Sequence, residues 1–274
     1  MIPKTAIITG ATSGIGKHWA NVLVDRPDEY RLALVDIDVE GLHAAFTPDA
    51  RVRLHRLDIR CAEEWRRVIE DTLRTFGRID YLFNIAGGGR PAFFLDQPIE
   101  NIDFVIDLNL KGPLIGMKLV GDVMVRQRSG HIITVASLAG LSPTPGNALY
   151  SAAKGGLRNA AIAAAIELRK RGVSVTVISP DLVDTPIMQR HLETAGAEVA
   201  LTYTGVTLTV NDLERAFVRA MRDKPLEINL PRWRGWLAKL NYVCPSIMFA
   251  LYEPMKRRGL KRLADIRRQR LGKE

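Results

Sequence analysis

The chain has 274 residues, 47% of them apolar, and a formal net charge of +9 at pH 7. That is enough apolar material for one large core or two small ones. Cys61 and Cys244 stand alone, which excludes a disulfide framework and a cysteine metal site and points to a reducing, cytoplasmic setting. The charge is not a nucleic-acid signature of the whole fold: residues 231–274 hold 12 Lys/Arg against 3 Asp/Glu, and residues 1–230 are balanced at 27 of each.

The first strand is expected at Thr5-Ala6-Ile7-Ile8-Thr9, a β-branched run that leaves no room for a signal peptide or N-terminal anchor. It feeds Gly10-Ala11-Thr12-Ser13-Gly14-Ile15-Gly16 and then helix-period residues from Trp19 to Val24. Strand, glycine-rich turn and helix start together aim backbone N–H groups and a helix dipole at a pyrophosphate. The spacing is G-x-x-x-G-x-G, so taken alone the turn is equally a plain tight connection. A second strand, Leu32–Val35, ends in Asp36, twenty residues after Gly16. An acid there can bind the adenosine ribose hydroxyls and repel a 2′-phosphate, or cap the next helix.

A third strand, Val52–Leu57, runs to Asp58-Ile59, and an amphipathic helix is expected over Ala62–Phe76. Tyr81–Asn84 is the fourth strand, followed by Ile85-Ala86-Gly87-Gly88-Gly89, small residues that admit a ligand close to the backbone. A helix over Asn101–Arg128 carries Asn109, Gly112 and Pro113 near its middle and should kink there, freeing carbonyls to hold a water. His131–Val135 is the fifth strand, with Ser137 just beyond. Tyr150 opens a helix to about Arg171 and shares its face with Lys154. A phenol has a pKa of about 10, and a fixed ammonium nearby would lower it into the range of a general acid/base. Val173–Ile178 is the sixth strand, a lid is expected at about 186–206, Asp212–Arg222 is a helix capped by Asn211, and Glu227–Leu230 is the last strand.

Residues 4–230 resemble the classical short-chain dehydrogenase/reductase family through Thr9-Gly10-x-x-x-Gly14-Ile15-Gly16, Asp58, Asn84-x-Ala86-Gly87, Asn109, Ser137, Tyr150-x-x-x-Lys154, and Pro180 with Thr185. The resemblance implies one α/β Rossmann domain, a doubly wound sheet of seven parallel strands ordered 3-2-1-4-5-6-7. It also implies hydride transfer between a nicotinamide and a carbon bearing oxygen. Tyr150 would be the acid/base and Lys154 would lower its pKa while holding the nicotinamide ribose. Ser137 would bind the substrate oxygen, and Asn109 would hold a proton-relay water. The cofactor would lie on Thr9, Gly10, Thr12, Ser13, Gly14, Ile15 and Gly16, on Asp36, Ile37, Asp58, Ile59, Asn84, Ala86 and Gly87, and on Tyr150, Lys154, Pro180, Val183 and Thr185. No metal is implied.

Two positions depart from the family pattern: Ile85 replaces a second Asn, and Asp181 stands where Gly usually follows Pro180. Neither Ser13 nor Ile37 supplies the base that NADP-preferring members tend to carry, so NAD is the expected cofactor. By family position the substrate pocket would comprise Leu138, Ala139, Leu141, Pro145, Leu149, Leu182 and Met188, which favours a hydrophobic alcohol or ketone over a sugar. His18, Trp19 and His191 read as packing or surface. A homodimer or homotetramer is implied. The alternatives are an NADPH-dependent ketoreductase and a non-catalytic nucleotide sensor.

Residues 231–274 form a basic, partly apolar helical extension outside the family pattern. The apolar stretch around Tyr242–Tyr252 is short for a bilayer span and is broken by Pro245. Its tryptophans and flanking Lys/Arg suit peripheral contact with an anionic membrane. Packing on the body or on a second subunit is equally open, and nucleic-acid binding is not expected.

Overall fold

The computed structural model, which describes residues 3–186, 188 and 207–271, shows seven strands. They are β1 (Lys4–Thr9), β2 (Tyr30–Asp36), β3 (Val52–Arg56), β4 (Tyr81–Asn84), β5 (Gly130–Val135), β6 (Val173–Pro180) and β7 (Glu227–Leu230). Of these, β1, β2, β5 and β6 are apolar runs buried on both faces, and the edge strands are only partly covered. All pair in parallel, in the order β3-β2-β1-β4-β5-β6-β7. The order reverses between β1 and β4, which opens a crevice beyond their carboxyl ends.

Successive side chains enter opposite layers. Ile7, Leu82 and Ile132 point to the layer of α3 (Ala62–Phe76), α5 (Gly112–Gln127) and α6 (Ala148–Arg169). Ile8, Phe83 and Ile133 point to that of α1 (Gly14–Val24), α2 (Val39–Ala45) and α7 (Val210–Asp223). On the second face Trp19, Phe83 and Phe217 meet with ring centroids 5.0–5.6 Å apart, locking α1 and α7 onto β4. Trp19 is therefore core, and His18 beside it contacts Glu214 at 2.8 Å.

Several boundaries differ from expectation for local reasons. The helix expected over 101–128 is divided into α4 (Glu100–Ile106), a π turn (Asp107–Lys111) and α5, with Pro113 directly after the π turn, where the regular ladder of hydrogen bonds is already interrupted. The N-cap of α7 is Thr209, not Asn211: Thr209 and Asp212 form a reciprocal capping box. β6 runs on to Pro180 because β7 pairs with it there. Of the expected lid, all but Pro186 and Met188 lies outside the described residues, as does His191.

The extension folds into α8 (Arg232–Val243) and α9 (Ile247–Leu271), separated at Cys244–Ser246. No described helix is long and apolar enough to cross a membrane. α8 packs on β7 and on the segment after β5: Ala238 is buried with Leu138 and Leu141, and Gly235 is so close to Asn229 that a Cβ would fall 2.4 Å from the Asn229 Cβ.

Candidate active site

The turn after β1 is crowded at its glycines. A Cβ on Gly16 would sit 2.1 Å from the Gly10 carbonyl oxygen, and one on Gly10, at φ +74°, would sit 3.1 Å from the Ala86 Cα. Gly14 has φ +52°, a conformation that glycine adopts without strain. The result is a backbone cradle at the start of α1, suited to a pyrophosphate.

Asp36, at the end of β2, faces the same crevice. Its Oδ2 accepts from the Thr12 N–H at 3.1 Å and hydroxyl at 2.8 Å, and its Oδ1 from the Asp38 N–H at 3.2 Å. Asp36 is not a helix cap; Asp38 caps α2 by accepting from the Gly41 N–H at 2.9 Å. Thr9 is buried behind the turn and accepts from the N–H groups of Ile85 and Ala86, both at 2.9 Å, which fixes the loop after β4. Asn84 is likewise buried, donating to the Pro113 carbonyl at 2.9 Å. These two support the crevice without lining it. Asp58 lines it, held by Arg60 at 2.7–3.2 Å, and that guanidinium keeps its carboxyl below the usual range.

From the cradle the crevice continues as one cleft of about 580 Å³ to Ser137, Tyr150 and Lys154. The π turn places Asn109 beneath it: its amide donates to the carbonyls of Gly88 (2.7 Å) and Val105 (2.9 Å) and accepts from the Gly88 N–H at 3.1 Å. Lys154, 3% exposed, donates to the Val135 carbonyl at 2.9 Å, and its Nζ lies 5.7 Å from the centroid of the Tyr150 ring. Burial raises the Tyr150 phenol to about 12, countered in part by a hydrogen bond with Ser137. Burial also lowers Lys154 to about 8. The lowering of the phenol expected from Lys154 is therefore absent in the chain by itself. Both groups share one poorly solvated floor, which disfavours phenolate and ammonium alike.

Gly10, Thr12, Ser13, Gly14, Ile15, Gly16, Asp36, Ile37, Asp58, Ile59, Ala86, Gly87, Pro180, Val183 and Thr185 all line the cleft, as do Leu138, Ala139, Leu182 and Met188. Leu141, Pro145 and Leu149 do not. Leu141 turns inward against Ala238, Pro145 lies in the turn before α6, and Leu149 is one residue from Tyr150, about 100° around the helix. The expectation of a nearly all-apolar substrate end also changes, because Ser142, Thr144, Asn147, Arg234 and Asn241 stand there with Leu237 and Ala238. Arg60 and Phe104 join at the other end. Arg60 had a legible signal, two residues past Asp58 at a strand's carboxyl end. The α8 residues had none.

A family model described as short chain dehydrogenase matches residues 4–196. The chain belongs to the short-chain dehydrogenase family. This short-chain dehydrogenase, an oxidoreductase by that membership, is 36% identical over 192 residues to an uncharacterised oxidoreductase of Staphylococcus saprophyticus, covering 67% of the chain and 80% of that relative. It is 32% identical over 203 residues to a 3-oxoacyl-[acyl-carrier-protein] reductase of Thermotoga maritima, covering 73% of the chain and 81% of the relative. A short-chain dehydrogenase/reductase from Burkholderia phymatum in complex with NAD superposes with a TM-score of 0.76 at 23% identity, covering 90% of this chain and 95% of that one. That likeness shows the fold. α8 and α9 lie beyond the matched range.

Proposed function

We propose that this dehydrogenase is an NAD-dependent enzyme interconverting a hydrophobic secondary alcohol and its ketone. The observation that carries the reading is a single cleft with the glycine cradle and Asp36 at one end and Ser137, Tyr150 and Lys154 at the other. When bound, NAD supplies the hydride acceptor, or as NADH the donor. The Tyr150 phenol exchanges a proton with the substrate oxygen, and Ser137, which lines the same part of the cleft, donates to that oxygen as charge develops on it. Lys154 supports the phenol from below. Asn109 fixes Gly88, and a relay water at the π turn beside it would connect Lys154 to solvent. The absence of room for a Cβ at Gly10 and Gly16 supports dinucleotide binding.

Asp36 supports NAD, since its carboxylate would repel a 2′-phosphate. Arg60, a base at that end of the cleft, is engaged by Asp58. The 32% identity to a 3-oxoacyl reductase favours a second reading, an NADPH-dependent ketoreductase. Leu138, Leu182, Met188 and Leu237 support an apolar substrate body, and Asn241 and Thr144 a polar group at its end. A cytoplasmic homodimer or homotetramer belongs to the same reading; Ile166 on α6, 72% exposed, is an apolar side chain such an interface would cover.

The test is fluorescence titration with NADH and NADPH, followed by turnover on hydrophobic secondary alcohols and ketones. Tighter NADH binding is expected, with a loss of roughly a thousandfold in turnover for Tyr150→Phe and NADH binding retained. Preference for NADPH would overturn the cofactor assignment, and no turnover across the panel would overturn the reaction.

A further inference from the structure

α8 is amphipathic in an inverted sense. Its packed side carries Gly235 and Ala238, with Arg234 and Asn241 turned to the cleft. Its outer side carries Trp233, Trp236, Leu240 and Val243, which are 52%, 71%, 53% and 80% exposed. Those positions fall at i, i+3, i+7 and i+10, a single stripe along the helix. Phe249, at 87% exposure just after the turn into α9, adds to it. Two tryptophans on one exposed stripe exceed the scattered apolar residues of an ordinary surface.

The charge that follows the stripe in the chain indicates what covers it. α9 carries Lys256, Arg257, Arg258, Lys261 and Arg268, and residues 231–274 bear 12 Lys/Arg against 3 Asp/Glu. A second copy would bring the same positive helix and repel it. An anionic lipid surface accepts both features, with the indoles at the headgroup level and the cations against phosphate. We propose that the outer face of α8, with the basic α9, docks this enzyme on the surface of an anionic bilayer, leaving the cleft on the inner side of α8. This proposal is independent of the reaction assigned above.

The full chain is sedimented with vesicles of phosphatidylcholine alone and of phosphatidylcholine mixed with phosphatidylglycerol. Binding is expected only to the anionic vesicles, weakening as salt rises, with a blue shift in tryptophan emission. Trp19 and Trp65 are already fully buried, so that shift reports Trp233 and Trp236. Trp236→Ser with Val243→Ser should weaken binding about tenfold or more while NADH affinity, the control for folding, is unchanged. Lys256→Glu with Arg257→Glu should do the same through charge alone. No sedimentation with phosphatidylglycerol vesicles overturns the proposal, as does binding indifferent to phosphatidylglycerol. A change of oligomeric state in the Trp236→Ser/Val243→Ser chain, seen by light scattering without vesicles, would assign the stripe to a second copy and overturn it too.

Discussion

Arg234 Nε lies 2.9 Å from Asp181 Oδ2, with the two side chains only 14% and 11% exposed, so α8 is tied to the segment just after β6, in the wall of the cleft. Burial pushes the Asp181 carboxyl up and Arg234 opposes that rise. Arg234→Met leaves the carboxylate buried without its cation, and a loss of about 3 kcal/mol in urea unfolding is expected. Adding Asp181→Asn should recover much of it. The sign with pH follows from the direction of the shift. A carboxyl raised in the fold is stabilising in its protonated form, a contribution present at low pH and lost as pH rises through the folded value. The deficit of Arg234→Met should therefore shrink on acidification, and a deficit that is flat with pH would remove Asp181 as its cause.

The cradle makes a sharper demand. A Cβ at Gly16 would meet a backbone oxygen, which cannot rotate away as a side chain can. Gly16→Ala should weaken NADH binding by about tenfold or more, since the start of α1 has to move away from the end of β1 and the cradle between them loses its shape. Gly77→Ala is the comparison. It has open space around its Cβ and only the strain of φ +78°, so it should lower stability by about 1 kcal/mol and leave NADH affinity alone.

How far the sequence could be read depends on the range of each interaction. α3, β4 and β7 begin and end where periodicity places them, because caps and alternation are local. The cleft residues from Gly10 to Asp36 lie within one βαβ unit, so spacing alone brings them together. Arg234 and Asp181 are 53 residues apart, and Asn241 and Ser142, whose side chains meet at 3.0 Å, are 99 apart. No local pattern announces that a helix folds back over the cleft, so Asp181 had no readable role and the substrate end looked all-apolar. The inward turn of Leu141 has the same cause, since Ala238 covers it. The direction of the Tyr150 shift depends on burial, which is set by neighbours far along the chain.

Lys154 should set a pH limit on reduction. Its amine is lowered to about 8, and it is the charged form that is lost as pH rises through that value. Reduction of a ketone requires the protonated phenol, present up to about 12, and a charged Lys154 beneath it. kcat/KM for reduction should therefore fall about tenfold per pH unit above roughly 8. Lys154→Met should abolish the break along with most of the activity. Lys154→Arg should not rescue it, because Nζ is confined between the Val135 carbonyl and Gly87, where a planar guanidinium does not fit. A profile unchanged in Lys154→Met would assign the break to another group.

His131 should govern acid stability from a place remote from the chemistry. It is 1% exposed in β5, and burial with nearby Lys224 lowers it to about 3. Its tautomer follows from the neighbours. The Thr176 hydroxyl donates to the Pro225 carbonyl at 2.6 Å, so it can only accept from His131, and Nε2 carries the proton at 2.9 Å. Nδ1 is buried without a partner, and a proton added there would place an uncompensated cation in the core. A base depressed in the fold stabilises it above the unfolded pKa and ceases to do so as pH falls toward the folded value. Between roughly pH 6 and 4 the native chain should lose about 1.4 kcal/mol per pH unit through this residue. His131→Gln can keep the donor to Thr176 but cannot titrate. Urea unfolding of the two chains across that range should therefore show a shallower acid slope for the variant, and parallel slopes would mean that other groups drive the acid transition.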